Sequence, residues 1–186
     1  MFGVSSASLS FVSASAGKGR TTSLEEGVLV DAITLLKDDH KTVEKLFKKF
    51  EKAGDGAKKT KQKLVEQITG ELTKHTYIEE TIFYPAARKV VPATEDHVLE
   101  SVEEHHIVVW LLSELAKLDP SDETYDAKVT VLIENVRHHV EEEEKDWFPE
   151  VRKGMGRKAL QELGEQMTTA KADAPTDPLK IPSAKA

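Results

Sequence analysis

The sequence predicts an all-α protein: an antiparallel up-down four-helix bundle with a short C-terminal fifth helix and disordered termini. Three observations carry that prediction. From residue 28 onward, apolar residues recur at helical spacing almost without a break. Glycine, proline and polar clusters, above all AGDGA at 53–57 and LDPSDETYD at 118–126, cut the pattern into four long segments and a shorter fifth. Each long segment carries an apolar stripe, and long helices joined by short connections pack as antiparallel neighbours.

Residues 1–24 hold no acidic residue and include ASA, which resembles a signal cleavage site. No lysine or arginine precedes their serine-diluted apolar part, so residues 1–27 read as a disordered extension or a start placed too early. The first helix is expected over 29–52, with Ile33, Leu36, His40, Val43, Phe47 and Phe50 along one face. The second, 58–90, aligns Leu64, Ile68, Leu72, Ile82 and Ala86, interrupted by His75 and Glu79. The third, 95–118, reads Val98, Val102, His105, Val109, Leu112 and Ala116. The fourth, 124–153, follows Ser121 and Thr124 as candidate N-caps and runs Val129, Leu132, Val136, Val140, Trp147, with His139 and Glu143 in its path. The fifth, 156–171, places Leu160, Leu163 and Met167 on one face and packs on the bundle as a cap. Three prolines mark 173–186 as a tail, leaving 28–172 as one domain.

Composition removes several function classes. A net charge of −7 with no basic stripe argues against nucleic acid as a partner. The chain has no cysteine, which excludes disulfides, thiolate zinc sites and cysteine nucleophiles, so any metal sits on nitrogen and oxygen. No apolar run approaches the roughly 20 residues that span a bilayer, and the expected location is the cytoplasm. No sustained second apolar stripe marks an oligomer interface, which leaves the oligomeric state open.

A repeat within the chain points to the chemistry. HTYIEETIFYPAAR (75–88) and HVEEEEKDWFPEVR (139–152) agree at the histidine, at two glutamates, at two aromatics, at a proline and at an arginine. That register pairs His75 with His139, not with His138, and Glu79 with Glu143. On a helix, His-x3-Glu aims an imidazole and a carboxylate at one volume. Each of the four helices thus sets a histidine on its core stripe, and two add a glutamate one turn on. Burying four imidazoles and two carboxylates without partners costs several kcal/mol. Cations are a better neutraliser than separate ion pairs for a cluster drawn from four helices. Nitrogen and oxygen donors without sulfur suit iron, manganese or zinc, and six donors exceed what one tetrahedral zinc uses. Glu80 and Glu144, which also recur in the repeat, are candidate acceptors for imidazole N–H groups. His97, His138, Glu141 and Glu142 read as surface.

DDHKTVEKLF, HTYIEETIFYP, EEHHIVVWLLSEL and HHVEEEEKDWFP resemble the hemerythrin domain, also called the HHE cation-binding domain, over residues 31–153. The resemblance implies a four-helix bundle around a non-haem di-iron centre with an oxo, hydroxo or water bridge. It also implies His40 and His75 on one iron, His105 and His139 on the other, and Glu79 and Glu143 bridging. Manganese is the alternative metal. Two departures stand out. The third helix carries Val109 where oxygen-carrying members have a second histidine, and the second bridging carboxylate is glutamate rather than aspartate. Solvent, a shifted glutamate or His106 is left to fill the vacated position. The function implied is reaction with dioxygen, hydrogen peroxide or nitric oxide in oxidative or nitrosative stress, including weak catalase- or peroxidase-type turnover. The competing reading is a non-catalytic module that binds, stores or senses iron or oxygen. A ferritin-like oxidase needs two Glu-x2-His motifs, and the chain offers one, Glu103 to His106.

Overall fold

The structure, a computed structural model, describes residues 30–182. The predicted extension over 1–27 and the last four residues of the predicted tail lie outside the described residues. Six α-helices form the frame: α1 (Ala32–Lys52), α2 (Lys58–Ile78), α3 (Tyr84–Val90), α4 (Glu95–Leu115), α5 (Tyr125–Glu142) and α6 (Phe148–Ala172). Among the described residues there is no strand. Consecutive long helices pair, α1 with α2 and α4 with α5, and α6 packs back on α1. Arg137 of α5 forks onto Glu44 and Glu51 of α1, tying the last bundle helix to the first. This is the four-helix arrangement with a further C-terminal helix that the periodicity predicts.

Two predicted helices are each interrupted once, at matching places. Glu79–Phe83 and Glu143–Trp147 are single π-helical turns that join α2 to α3 and α5 to α6. The cause lies two residues beyond the end of each turn. Pro85 and Pro149 have no N–H to give, and in a regular α-helix their rings would meet the carbonyls of Thr81 and Lys145. The wider turn removes that conflict, and the N–H groups of Tyr84 and Phe148 reach back five residues to the carbonyls of Glu79 and Glu143.

The extra residue shifts the buried face. Phe83, Tyr84 and Ala87 are buried where the uninterrupted pattern predicts Ile82 and Ala86, which are half-buried. On α4 the buried line passes through Val108, Leu111 and Leu115, so Val109 is half-buried and Ala116 exposed, against expectation. Val140, expected in the core, is half-buried beside it.

The ends are set by other residues than expected. Asp31 caps α1 by accepting the N–H of Thr34 at 3.1 Å, and Arg152 donates to the same carboxylate. Before α5, Thr124 stands at the cap position without a side-chain cap bond. The aspartates organise that turn instead: Asp119 accepts from the N–H of Ser121 and Asp122 from that of Thr124, both at 2.8 Å. Within α6 the chain turns at Gly156, whose φ of 74° is cheap only for glycine. Beyond it Leu160, Leu163 and Met167 bury themselves as predicted. Gly164 lets the start of α1 pass: a Cβ there would lie 2.2 Å from the carbonyl oxygen of Val30. In the predicted tail, Pro178–Lys180 form a 3-10 turn and Pro178 is buried.

The interior has two apolar clusters. One gathers Phe47, Phe50, Ile68, Leu112 and Leu132; the other gathers Ile33, Leu36, Ile78, Phe83, Trp147 and Phe148. His40, His75, Glu79, His105, His139 and Glu143 belong to neither cluster, yet all are buried.

Candidate metal centre

The six predicted side chains converge. Nε2 of His40 and Nε2 of His75 lie 3.2 Å apart, and so do those of His105 and His139. Glu79 reaches both pairs, with Oε2 at 3.1 Å from Nε2 of His75 and 3.4 Å from Nε2 of His105. Glu143 does the same, with Oε2 at 3.3 Å from Nε2 of His40 and 3.7 Å from Nε2 of His139. The two halves of the bundle, α1 with α2 and α4 with α5, each provide one histidine pair and lend a carboxylate to the other.

Behind the imidazoles stand four more carboxylates. Nδ1 of His40 donates to Glu144 at 2.9 Å, Nδ1 of His105 to Glu80 at 3.1 Å and Nδ1 of His139 to Glu104 at 2.8 Å. Asp39 lies at ion-pair distance, 3.6 Å, from Nδ1 of His75, and Lys171 of α6 holds its other oxygen. A carboxylate can only accept, so Nδ1 donates in each of these bonds and Nε2 is the nitrogen that faces inward. Glu80 and Glu144 stand where the repeat suggests. Asp39 and Glu104 were not among the predicted residues: each immediately precedes a core histidine but serves the histidine of the neighbouring helix. Tyr84 was also missed. Its hydroxyl lies 3.1 Å from Oε1 of Glu143, 3.4 Å from Oε2 of Glu79 and 3.4 Å from Nε2 of His105. Its ring stacks on His105, and in the repeat-related position the ring of Phe148 stacks on His40.

Other residues fall away. The His138 side chain is 64% exposed and sits beside Glu142. His106, a candidate for the vacated position, points outward and pairs with Glu103 at 3.3 Å. Val109 does not line the cavity beside the site, whereas Val108 does.

The charges of this layer hold one another. Burial works against the His75 imidazolium, but the charges of Glu79 and Asp39 outweigh it and hold its pKa up at about 10. Burial likewise opposes His105, and its bonds to Glu79 and Glu80 raise it to about 9. His40 is raised against burial by Glu143 and Glu144. Burial resists ionisation of Glu79 too, and the His75 charge nonetheless keeps it well below the usual carboxylate range. Burial, with the charges of Glu143 and Glu79, pushes the Tyr84 phenol up.

These donors fit metal ions. With metal–donor distances of about 2.1 Å, neighbouring donors of one ion stand about 3 Å apart, close to the spacings here. One oxygen of each shared carboxylate, Oε1 of Glu79 and Oε2 of Glu143, is buried without a hydrogen-bond partner, which is costly unless something else binds it. A cavity of about 540 Å³ leads from the surface between α1 and α5 to all four imidazoles, and Val43, Phe47, Leu72, Val108 and Val136 wall it.

Comparison with known proteins agrees with this geometry. Residues 31–151 match the hemerythrin HHE cation binding domain model. Among solved structures, the chain is similar to a hemerythrin HHE cation binding domain-containing protein, the Rv2633c homolog from Mycobacterium kansasii. The two are 27% identical with a TM-score of 0.66, over 77% of this chain and 86% of that one. No functionally curated protein matches. No described helix is long and apolar enough to cross a membrane. With the family model matching most of its length over the helices that build the cluster, the chain belongs to the hemerythrin HHE cation-binding domain family.

Proposed function

We propose that the cluster holds two iron ions, one between His40 and His75 and one between His105 and His139, with Glu79 and Glu143 shared. The loaded protein is proposed to react with small oxidants: dioxygen, hydrogen peroxide or nitric oxide. Manganese is the alternative metal. The observation that carries this reading is the exchange of carboxylates between the two halves, which puts Glu79 against His105 and Glu143 against His40. Separate ion pairs could be made within each half and would not need that exchange. When bound, such ions supply electrons and concentrated positive charge to an oxidant.

The chain's own residues do the rest. Glu144, Glu80 and Glu104 hold three imidazoles with Nε2 facing inward, so the donors are aimed before a metal arrives. Val43, Phe47 and Val136 make the approach apolar, which suits uncharged diatomic molecules and peroxide and strengthens electrostatic interaction at its inner end. The Tyr84 hydroxyl donates toward Glu143, holding a proton at the inner edge of the layer. Metal analysis of the purified chain, followed by peroxide addition to the loaded form, tests the reading. Two irons per chain and many peroxides consumed per site support it. One stoichiometric spectral change without turnover leaves the binding or sensing module. A chain that binds no iron and melts identically with a chelator present refutes both.

A further inference from the structure

We infer that Glu104, His138 and Glu142 form an outer cation site on the surface seam between α4 and α5, for a first-row divalent ion such as zinc. The inference does not need the two-ion reading of the core, and of its three side chains only Glu104 also serves the core.

The segment HHVEEEE holds two His-x3-Glu pairs, one residue apart. Adjacent residues of a helix differ by about 100° in direction, so while His139 and Glu143 face the core, His138 and Glu142 face the seam where α4 lies alongside. There Glu104 completes the set. Nε2 of His138 lies 3.4 Å from Oε1 of Glu142 and 3.9 Å from Oε1 of Glu104, and one donor atom from each residue lies within 4.8 Å of the others. Donors about 2.1 Å from one tetrahedral ion stand roughly 3.4 Å apart, so a small closure of these side chains seats an ion. Three such donors with a water make a four-coordinate ion, and the imidazole favours a transition metal over magnesium or calcium.

Charge points the same way. The neighbouring Glu141 has Lys145, but among the described residues no lysine or arginine pairs with Glu104 or Glu142. One imidazole carries at most one positive charge against two carboxylates, whereas a divalent ion beside a neutral imidazole balances both. Nor is the pair a by-product of the repeat. At the matching positions the first copy has Lys74, which pairs with Glu71, and Ile78, which is fully buried. Glu104 joins the outer site to the core: its Oε1 faces His138, while its Oε2 accepts from Nδ1 of His139 at 2.8 Å. With the core loaded, cations stand on both sides of this carboxylate and repel. The outer ion is therefore the exchangeable one and comes away on desalting, while the core keeps its metal.

The test takes the full chain after iron loading and desalting, dialyses it against zinc chloride, and counts zinc and iron per chain. The expected result is one exchangeable zinc per chain with iron unchanged. His138→Ala and Glu142→Gln each remove that zinc and leave the iron, whereas His97→Ala and His106→Ala keep both. No added zinc in the wild type, or zinc that survives in His138→Ala, overturns the inference and leaves the two-ion reading standing. A chain that takes up no iron overturns the two-ion reading alone, because the same variants still report on the outer zinc. In that chain, loss of one zinc in both His138→Ala and Glu142→Gln upholds the outer site, and equal zinc in wild type and variants overturns it.

Discussion

Whether an imidazole faces a neighbouring helix or solvent decides what it can hold, and His138 and His139, adjacent in the chain, differ in that respect. His139 is buried against His105 with Glu104 behind it, while His138 stands in solvent beside Glu142. Replacing His139 by alanine should sharply lower iron per chain, and replacing His138 should leave it nearly unchanged, as metal analysis of the two variants would reveal. Equal loss in both would refute the register read from the repeat. The carboxylates behind the imidazoles should matter through orientation. Glu104→Ala keeps every ligand proposed for the two irons, yet it should weaken iron binding about 10–100-fold, read by competition with a chelator of known affinity. Unchanged affinity would mean that His139 needs no help to face inward. Asp39 and Glu104 show why such partners escape a sequence reading. Each sits beside a histidine in the chain and supports a different one in space, a relation that depends on how two helices are rotated against each other.

At the scale of the element, the two π-helical turns carry most of the difference between expectation and structure. The stripe of α1 from Ile33 to Phe50 is buried residue for residue as its period predicts. Past Glu79 the same arithmetic selects Ile82 and Ala86, because a period of 3.6 cannot know that a residue has been inserted. Pro85 and Pro149 are the visible marks of the break, but a proline alone does not say whether a helix ends, kinks or widens. The His-x3-Glu pairs were legible because each histidine lies ahead of its turn and each glutamate is the turn's first residue, still in register. Tyr84 was not, because it lies just after. The C-terminal helix offers a separate test. Gly164 lies under the backbone of Val30 and Ala32, which cannot move aside as a flexible side chain could. Gly164→Ala should therefore cost about 1–3 kcal/mol in a urea melt, against the gain that alanine usually brings to a helix. A neutral or stabilising result would show that α6 is not seated on the start of α1 in solution.

For the whole molecule, the buried charge layer makes stability depend on pH in a direction set by the histidines. In the metal-free protein His75 is held at about 10 and His105 at about 9, both above the ordinary value of 6.5. Between those values the folded chain binds more protons than the unfolded one, so stability falls as pH rises. Their contribution is complete below about 6.5 and is lost as pH passes through about 9 and then about 10. Thermal melts of chelated protein should decline across that range. Iron-loaded protein should show a flatter profile there, because the metal replaces those protons. A flat profile for the chelated form would mean that the layer is not protonated as its geometry implies.

The exchange of Glu79 and Glu143 between halves has a consequence for how the protein fills. An ion seated by His40 and His75 would bind Glu79 and Glu143, both of which already stand against the other pair, so the first arrival would fix the shared carboxylates for the second. Occupancy should then behave as all or none. During titration with iron, native mass spectrometry should find empty chains and doubly filled chains in changing proportion, with the singly filled form scarce throughout. A dominant singly filled form at the midpoint would make the two positions independent tenants of one bundle.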